Sequence, residues 1–458
     1  MRTTVKAVGA VTLLLAALGS TGAAVAGPDE GSDEQAVQAE RNYGVAQGLA
    51  ASSTLSLTKD QASANPLALA TLAPGLKATV VTSGVAAPNL DMGALWPMDD
   101  PKYLVYCNEQ KPTDPGVQLI SLADGSATTV LTGTQSCDAL HTTPWGTVAI
   151  GEERSDGHVW EILDPTKIDV TVDRTTGAVT GQGADLVARR DALGSVAYEG
   201  LGFLRSGVAY YGDELGPKNG APGGAYYKFL PATPWDGSPV TTLAQSPLAA
   251  GTVYGLKVGS GSNTGQGMQL GDASWVPVDA TAPMRPQTAT SGLTGYYRPE
   301  DLSFDRKALA QDVVRFCGNN TGREQAHFYG ETNCITDGTV AQAATASSKP
   351  RVDLLVAGSP AFNSPDNIAY QPGRGNFIVH EDGETTFEGT HNNDLWSCQQ
   401  DGMDADLQSD GCLRVATLND LTAEWTGGFF DPSGKHFYVS IQHNVTGKGV
   451  VLDITGWR

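Results

Sequence analysis

Downstream of Leu95 one device repeats: a short run rich in Val, Ile, Tyr, Phe and Thr, closed by Gly, Pro, Asp or Asn. Examples are YLVYC (103–107), GTVAIGEE (146–153), SGVAYYGDE (206–214), GTVYGLKV (251–258), GNFIVHED (375–382) and GKHFYVSIQH (434–443). β-Branched and aromatic residues suit a pleated, half-buried surface, and the punctuating residues supply turns. In several units a Pro, Asp or Ser leads through Gly into the strand, as in DPSGKHFYVS and QPGRGNFIVH. The units recur roughly 45 to 65 residues apart, a blade-like period with insertions. Long amphipathic helical patterns are hard to find. An all-β chain built as a β-propeller of about six blades fits both the repeat and the length. A two-sheet sandwich would use fewer, more evenly spaced strands.

The N-terminus reads differently. Arg2 and Lys6 flank the start of an apolar run, Ala7 to Leu18, and Ala24-Val25-Ala26 forms an A-x-A cleavage site. Residues 1–26 are expected to be a cleaved secretory signal, and no Arg-Arg pair marks the folded-export route. Residues 27–95 are Ala/Ser-rich with little periodicity and read as a poorly structured extension, with Asp33 to Leu49 suited to a short helix. The propeller is expected from 96 to 458. No later stretch approaches the roughly 20 apolar residues of a membrane helix. A secreted protein without integral membrane contact follows, and nothing demands more than a monomer.

The chain carries 29 Lys+Arg against 50 Asp+Glu, a net charge of −21. That balance opposes nucleic-acid binding, which needs a basic face, and suits carboxylates gathered around cations. Six cysteines in an exported chain imply disulfides by default. Cys398 with Cys412, and Cys317 with Cys334, each flank a polar loop and would staple it. Cys107 and Cys137 are left to pair with each other, or one serves another purpose. No Cys/His zinc spacing occurs.

Nucleophilic catalysis by Ser or Cys is not advertised, because G-x-S-x-G, H-E-x-x-H and a Walker lysine are all missing. Acidic residues at strand ends stand out instead. Glu152-Glu153 closes a strand, so one of the pair must face away from the other. Glu199 lies on a strand-like stretch, and Asp213-Glu214 ends another. YYRPEDLSFD places Arg298, Glu300 and Asp301 within four residues, FNSPDNIAY offers Asp366 and Asn367, and HEDGE offers Glu381, Asp382 and Glu384. Glu424 precedes Thr426-Gly427, and Gln442-His443 ends the closing strand. Oxygen donors in Gly-rich turns are what hard cations such as Ca²⁺ prefer. Taken singly, each site reads equally as a solvated edge, a surface ion pair or an Asx-turn.

Taken together and in order, TPWGT…EE (143–153), YEG (198–200), YYGDE…YYKF (210–229), RPEDLSFD (298–305), C-x-N-N (317–320), F-x-SPDNIAY (362–370) and E-x-TGGFFDPSGKHFYVSIQH (424–443) resemble the PhoX-type alkaline phosphatases. The resemblance runs from about Cys107 to the C-terminus. It implies an exported six-bladed propeller that hydrolyses small phosphomonoesters with an iron–calcium cluster in its central pocket. By that resemblance Glu300 looks like an iron ligand and Arg298 like a phosphate contact. Cys137 is the candidate thiolate, and Glu152, Glu153, Glu199, Asp366, Asn367 and Glu424 are the further cluster ligands. Two other readings of the same acidic positions are a calcium-dependent propeller hydrolase of lactones or esters and a non-catalytic calcium-binding propeller.

Overall fold

The structure is a computed structural model and describes residues 40–218, 221–261, 265–383, 385–400, 409 and 411–458. The expected signal segment 1–26 and most of the helix expected at 33–49 lie outside the described residues. Residues 40–43 form a helical turn at the described start.

Six strands form an inner ring: Leu90–Trp96, Cys137–Thr142, Tyr198–Phe203, Pro299–Phe304, Pro365–Tyr370 and Glu424–Phe430. Each packs against the next, and the sixth packs against the first, so the ring closes. Outward from each inner strand at least the next two strands are laid down antiparallel in chain order, as in Pro365–Tyr370, Phe377–Glu381, Asp394–Cys398 and Cys412–Leu418. The third and fourth sheets join at their outer edges, where Gly271 pairs with Val352. This is a β-propeller, as the turn spacing leads one to expect. Second strands such as Val148–Glu152, Ala209–Asp213 and Phe377–Glu381 are buried along their whole length. Neighbouring blades cover both faces, which explains why these strands read as unbroken apolar runs rather than alternations.

From its middle onward the expected extension carries strands. Ala70–Leu72 pairs with Cys412–Leu418, and Lys77–Ser83 pairs with Val450–Thr455, so an N-terminal strand completes the last blade. Leu90–Trp96 is the first inner strand. The signal was weak because Lys77–Ser83 is a half-exposed outer strand in which only Ala78, Val80 and Val81 are apolar. Its place is set by backbone pairing with the C-terminus, which no local pattern reveals. The ring closes tightly: a Cβ on Gly427 would stand 1.9 Å from Asp91 O, so a glycine with φ +59° is required there.

Among the described residues no helix is long and apolar enough to cross a membrane. The cysteines pair as Cys107–Cys137, Cys317–Cys334 and Cys398–Cys412, leaving none free.

Candidate metal centre and active site

All six inner strands slip register near their start. Leu90 pairs with Asn108 but Gly93 with Tyr106, leaving Asp91 in a bulge. The same slip frees Asp138, Glu199, Glu300 and Asp366, and in the sixth strand Gly427. A bulge re-aims a side chain, and here five of the six bulges present a carboxylate at equivalent positions of one ring. Four of these strands are preceded by a non-glycine residue in the left-handed region: Asn89 (φ 55°), Ser136 (46°), Arg298 (60°) and Ser364 (50°). Backbone strain of about 1 kcal/mol each is thus concentrated at this end of the ring.

A second set of residues follows the end of each blade's second strand: Glu109, Glu153, Glu214, Thr321, Asp382 and His443. The two sets meet. One ligand oxygen from each of Asp138, Glu153 and Glu199 lies within 4.8 Å of the others, and so does one from each of Glu199, Glu300 and Asp366. Glu199 belongs to both triads.

So many carboxylates cannot all ionise unaided. Burial, with the charge of Glu109 beside it, lifts Asp91 to about 7. Burial lifts Glu300 to about 8, against the opposing pull of Arg298. Asp138, Glu199, Asp366 and Glu424 are raised well above the carboxylate range, first by burial and then by neighbouring acids. Glu153 is raised by burial and by its hydrogen bond to Glu214. Burial opposes ionisation of Glu214, yet that bond and the charge of Arg298 hold it below its ordinary value. Asp138 Oδ1 is buried without a hydrogen-bond partner among the described residues. The carboxylates therefore form an all-oxygen donor set with uncompensated charge, which a hard cation fits.

Several sequence expectations change. Cys137 is not a thiolate ligand, because its sulfur is bonded to Cys107 and a disulfide sulfur carries no anionic charge. Glu152 is not in the cluster either. It accepts from Gln135 N at 2.9 Å, from His158 N at 3.1 Å and from Arg174 Nε at 2.6 Å, while Glu153 beside it joins the first triad. Asn367 Oδ1 is taken by Thr426 Oγ1 at 2.6 Å and Gly427 N at 2.8 Å, so it ties the fifth blade to the sixth. Glu424 stands outside both triads, paired with His443 Nδ1 at 3.1 Å. Glu153, Glu199, Glu300 and Asp366 do come together. Asp91 and Asp138 are additions that the bulge register, invisible in one sequence, brings to the ring, and Glu109 is a third, at the end of its blade's second strand. Glu384 lies outside the described residues.

A cleft of about 640 Å³ opens beside the cluster, lined by Arg298, Thr321, Asp382, Glu424 and His443 among others. Arg298 donates through Nε to Glu214 Oε1 at 2.6 Å, and Thr321 Oγ1 donates to Glu300. The terminal nitrogens of Arg298 make no hydrogen bond to the described residues and remain available to an anion in the cleft.

The comparisons agree with this architecture. The structure is similar to Pseudomonas fluorescens PhoX in complex with vanadate, a transition state analogue, with a TM-score of 0.63 and 17% identity over 90% of this chain and 98% of that one. A looser likeness links it to aldose sugar dehydrogenase from Streptomyces coelicolor, with a TM-score of 0.43 and 12% identity over 84% of this chain and 99% of that one. No curated protein matches the sequence. Residues 183–444, more than half of the chain, match the family model described as alkaline phosphatase PhoX, and the chain belongs to that family.

Proposed function

We propose that this protein is an exported, metal-dependent phosphomonoesterase that releases phosphate from small organic phosphoesters at the mouth of the propeller channel. The observation that carries the reading is the pair of carboxylate triads sharing Glu199, set beside Arg298 in the cleft. Family membership supports phosphatase chemistry, and three disulfides fit an extracellular destination.

The donor set favours calcium, with Asp138, Glu153, Glu199, Glu300 and Asp366 as its holders. Iron held by a cysteine thiolate does not fit, because no cysteine is free. A bound hard cation supplies charge compensation for the phosphoryl group and its attacking oxygen. The remaining work falls to the protein's own side chains. Arg298 receives phosphoryl oxygens through its terminal nitrogens, while Glu214 holds Nε and fixes the plane of the fork. Thr321 orients Glu300 by donating to it. Positioning and electrostatics then suffice without a Ser or Cys nucleophile. Hydrolysis of p-nitrophenyl phosphate by the purified protein, abolished by chelation and restored by calcium, tests the reading; turnover indifferent to chelation would contradict it.

A further inference from the structure

Two further cations stand at the cleft. Lys218 and Arg323 are exposed, line the same cleft as Arg298, and form no ion pair among the described residues. Both of their backbone segments are tied to Arg298. Arg298 N donates to Leu215 O at 3.4 Å, anchoring the loop that carries Lys218. Thr321 N donates to Arg298 O at 3.1 Å, and Gly322 N to Tyr297 O at 3.1 Å, anchoring the segment that carries Arg323. Arg323 then closes its own hairpin by pairing with Phe328, above the Cys317–Cys334 staple. Lys218 follows Leu215 by three residues and Arg323 follows Thr321 by two, so each lies within roughly 11 Å of these anchors. In a chain of net charge −21, three cations thus border one opening. The acids of that wall are Glu324, which has a partner of its own, Glu424, which pairs with His443, and Asp382.

We propose that Lys218 and Arg323 form a leaving-group subsite that selects phosphomonoesters whose leaving group carries a second phosphate. The inference rests on the phosphatase reading above: Arg298 takes the phosphate to be transferred, and the flanking pair takes the other. Neither cation touches the reacting atoms, so both determine specificity rather than catalysis.

Non-hydrolysable ligands separate this from turnover. Propylphosphonate and propane-1,3-bisphosphonate are titrated calorimetrically into calcium-loaded protein and into a Lys218→Gln/Arg323→Gln variant. The bisphosphonate is expected to bind the unaltered protein about tenfold or more tightly, and the variant's preference to fall by about fivefold or more. Retained binding of propylphosphonate by the variant reports an intact cleft. An equal preference in both proteins, with propylphosphonate still bound, overturns the subsite and leaves the phosphatase reading standing. Failure of the unaltered protein to bind either ligand overturns both.

Discussion

Arg298 Nε stands 2.6 Å from Glu214 Oε1 and 3.4 Å from Glu300 Oε1, so one guanidinium edge is shared between a rim carboxylate and a carboxylate of the inner ring. The arrangement leaves the other edge for the substrate. Arg298→Lys keeps the charge but loses the fork and the planar anchor to Glu214. Steady-state kinetics should show kcat/KM for p-nitrophenyl phosphate falling about 100-fold, with thermal stability nearly unchanged. A variant within about threefold of the parent would remove Arg298 from the site.

Glu199 joins both triads, and its replacement should therefore cost more than that of any carboxylate in one triad alone. Glu199→Gln is expected to lose most bound cation by elemental analysis and about 1000-fold in turnover. Without metal the same variant should melt higher than the parent near neutral pH, because folding must protonate this buried, acid-crowded carboxyl and a Gln carries no such cost. Lower stability of the metal-free variant would contradict the charge crowding described here.

The pH dependence of the metal-free protein follows from the same crowding. Asp91, lifted to about 7, and Glu300, lifted to about 8, bind protons more tightly folded than unfolded. Their contribution is complete below the unfolded values near 4 and is lost as pH rises through 7 to 8. With chelator present, the melting temperature should fall by about 5 °C or more between pH 5 and pH 8.5. Added calcium should raise it most at the alkaline end, since cations compete with those protons.

Cys107–Cys137 makes a separate prediction. A thiol assay on unfolded, unreduced protein should find no free cysteine. Cys107→Ser/Cys137→Ser should lose about 2–5 kcal/mol of stability while keeping its bound cation and phosphatase activity. Loss of metal with the thiol pair removed would reinstate Cys137 as a ligand.

Much of the architecture can be read from turn chemistry and strand composition, because blades are built from local antiparallel neighbours. Ring closure cannot. Lys77–Ser83 and Val450–Thr455 are joined across nearly the whole chain, and the outer strand carries too little apolar pattern to announce itself. The site divides along a similar line. Glu153, Glu199, Glu300 and Asp366 sit in turn-rich strand ends, where an acid is conspicuous. Asp91 was hidden in a segment that resembles a tether, and Asp138 behind its cysteine neighbour. Both reach the ring through bulges, whose register depends on a partner strand. Strand alternation requires Glu152 and Glu153 to diverge, but partners from three separate segments, Gln135, His158 and Arg174, decide which one leaves the cluster.

An oxygen-only cation centre is expected to drive phosphomonoester hydrolysis in this protein. The decisive test is elemental analysis of the purified protein, coupled to p-nitrophenyl phosphate turnover on the same sample before and after chelation. Such a centre predicts bound calcium, no cysteine-ligated iron, and phosphate release that disappears with the calcium and returns with it. Full turnover by the metal-free protein, or none by the calcium-loaded one, would contradict it.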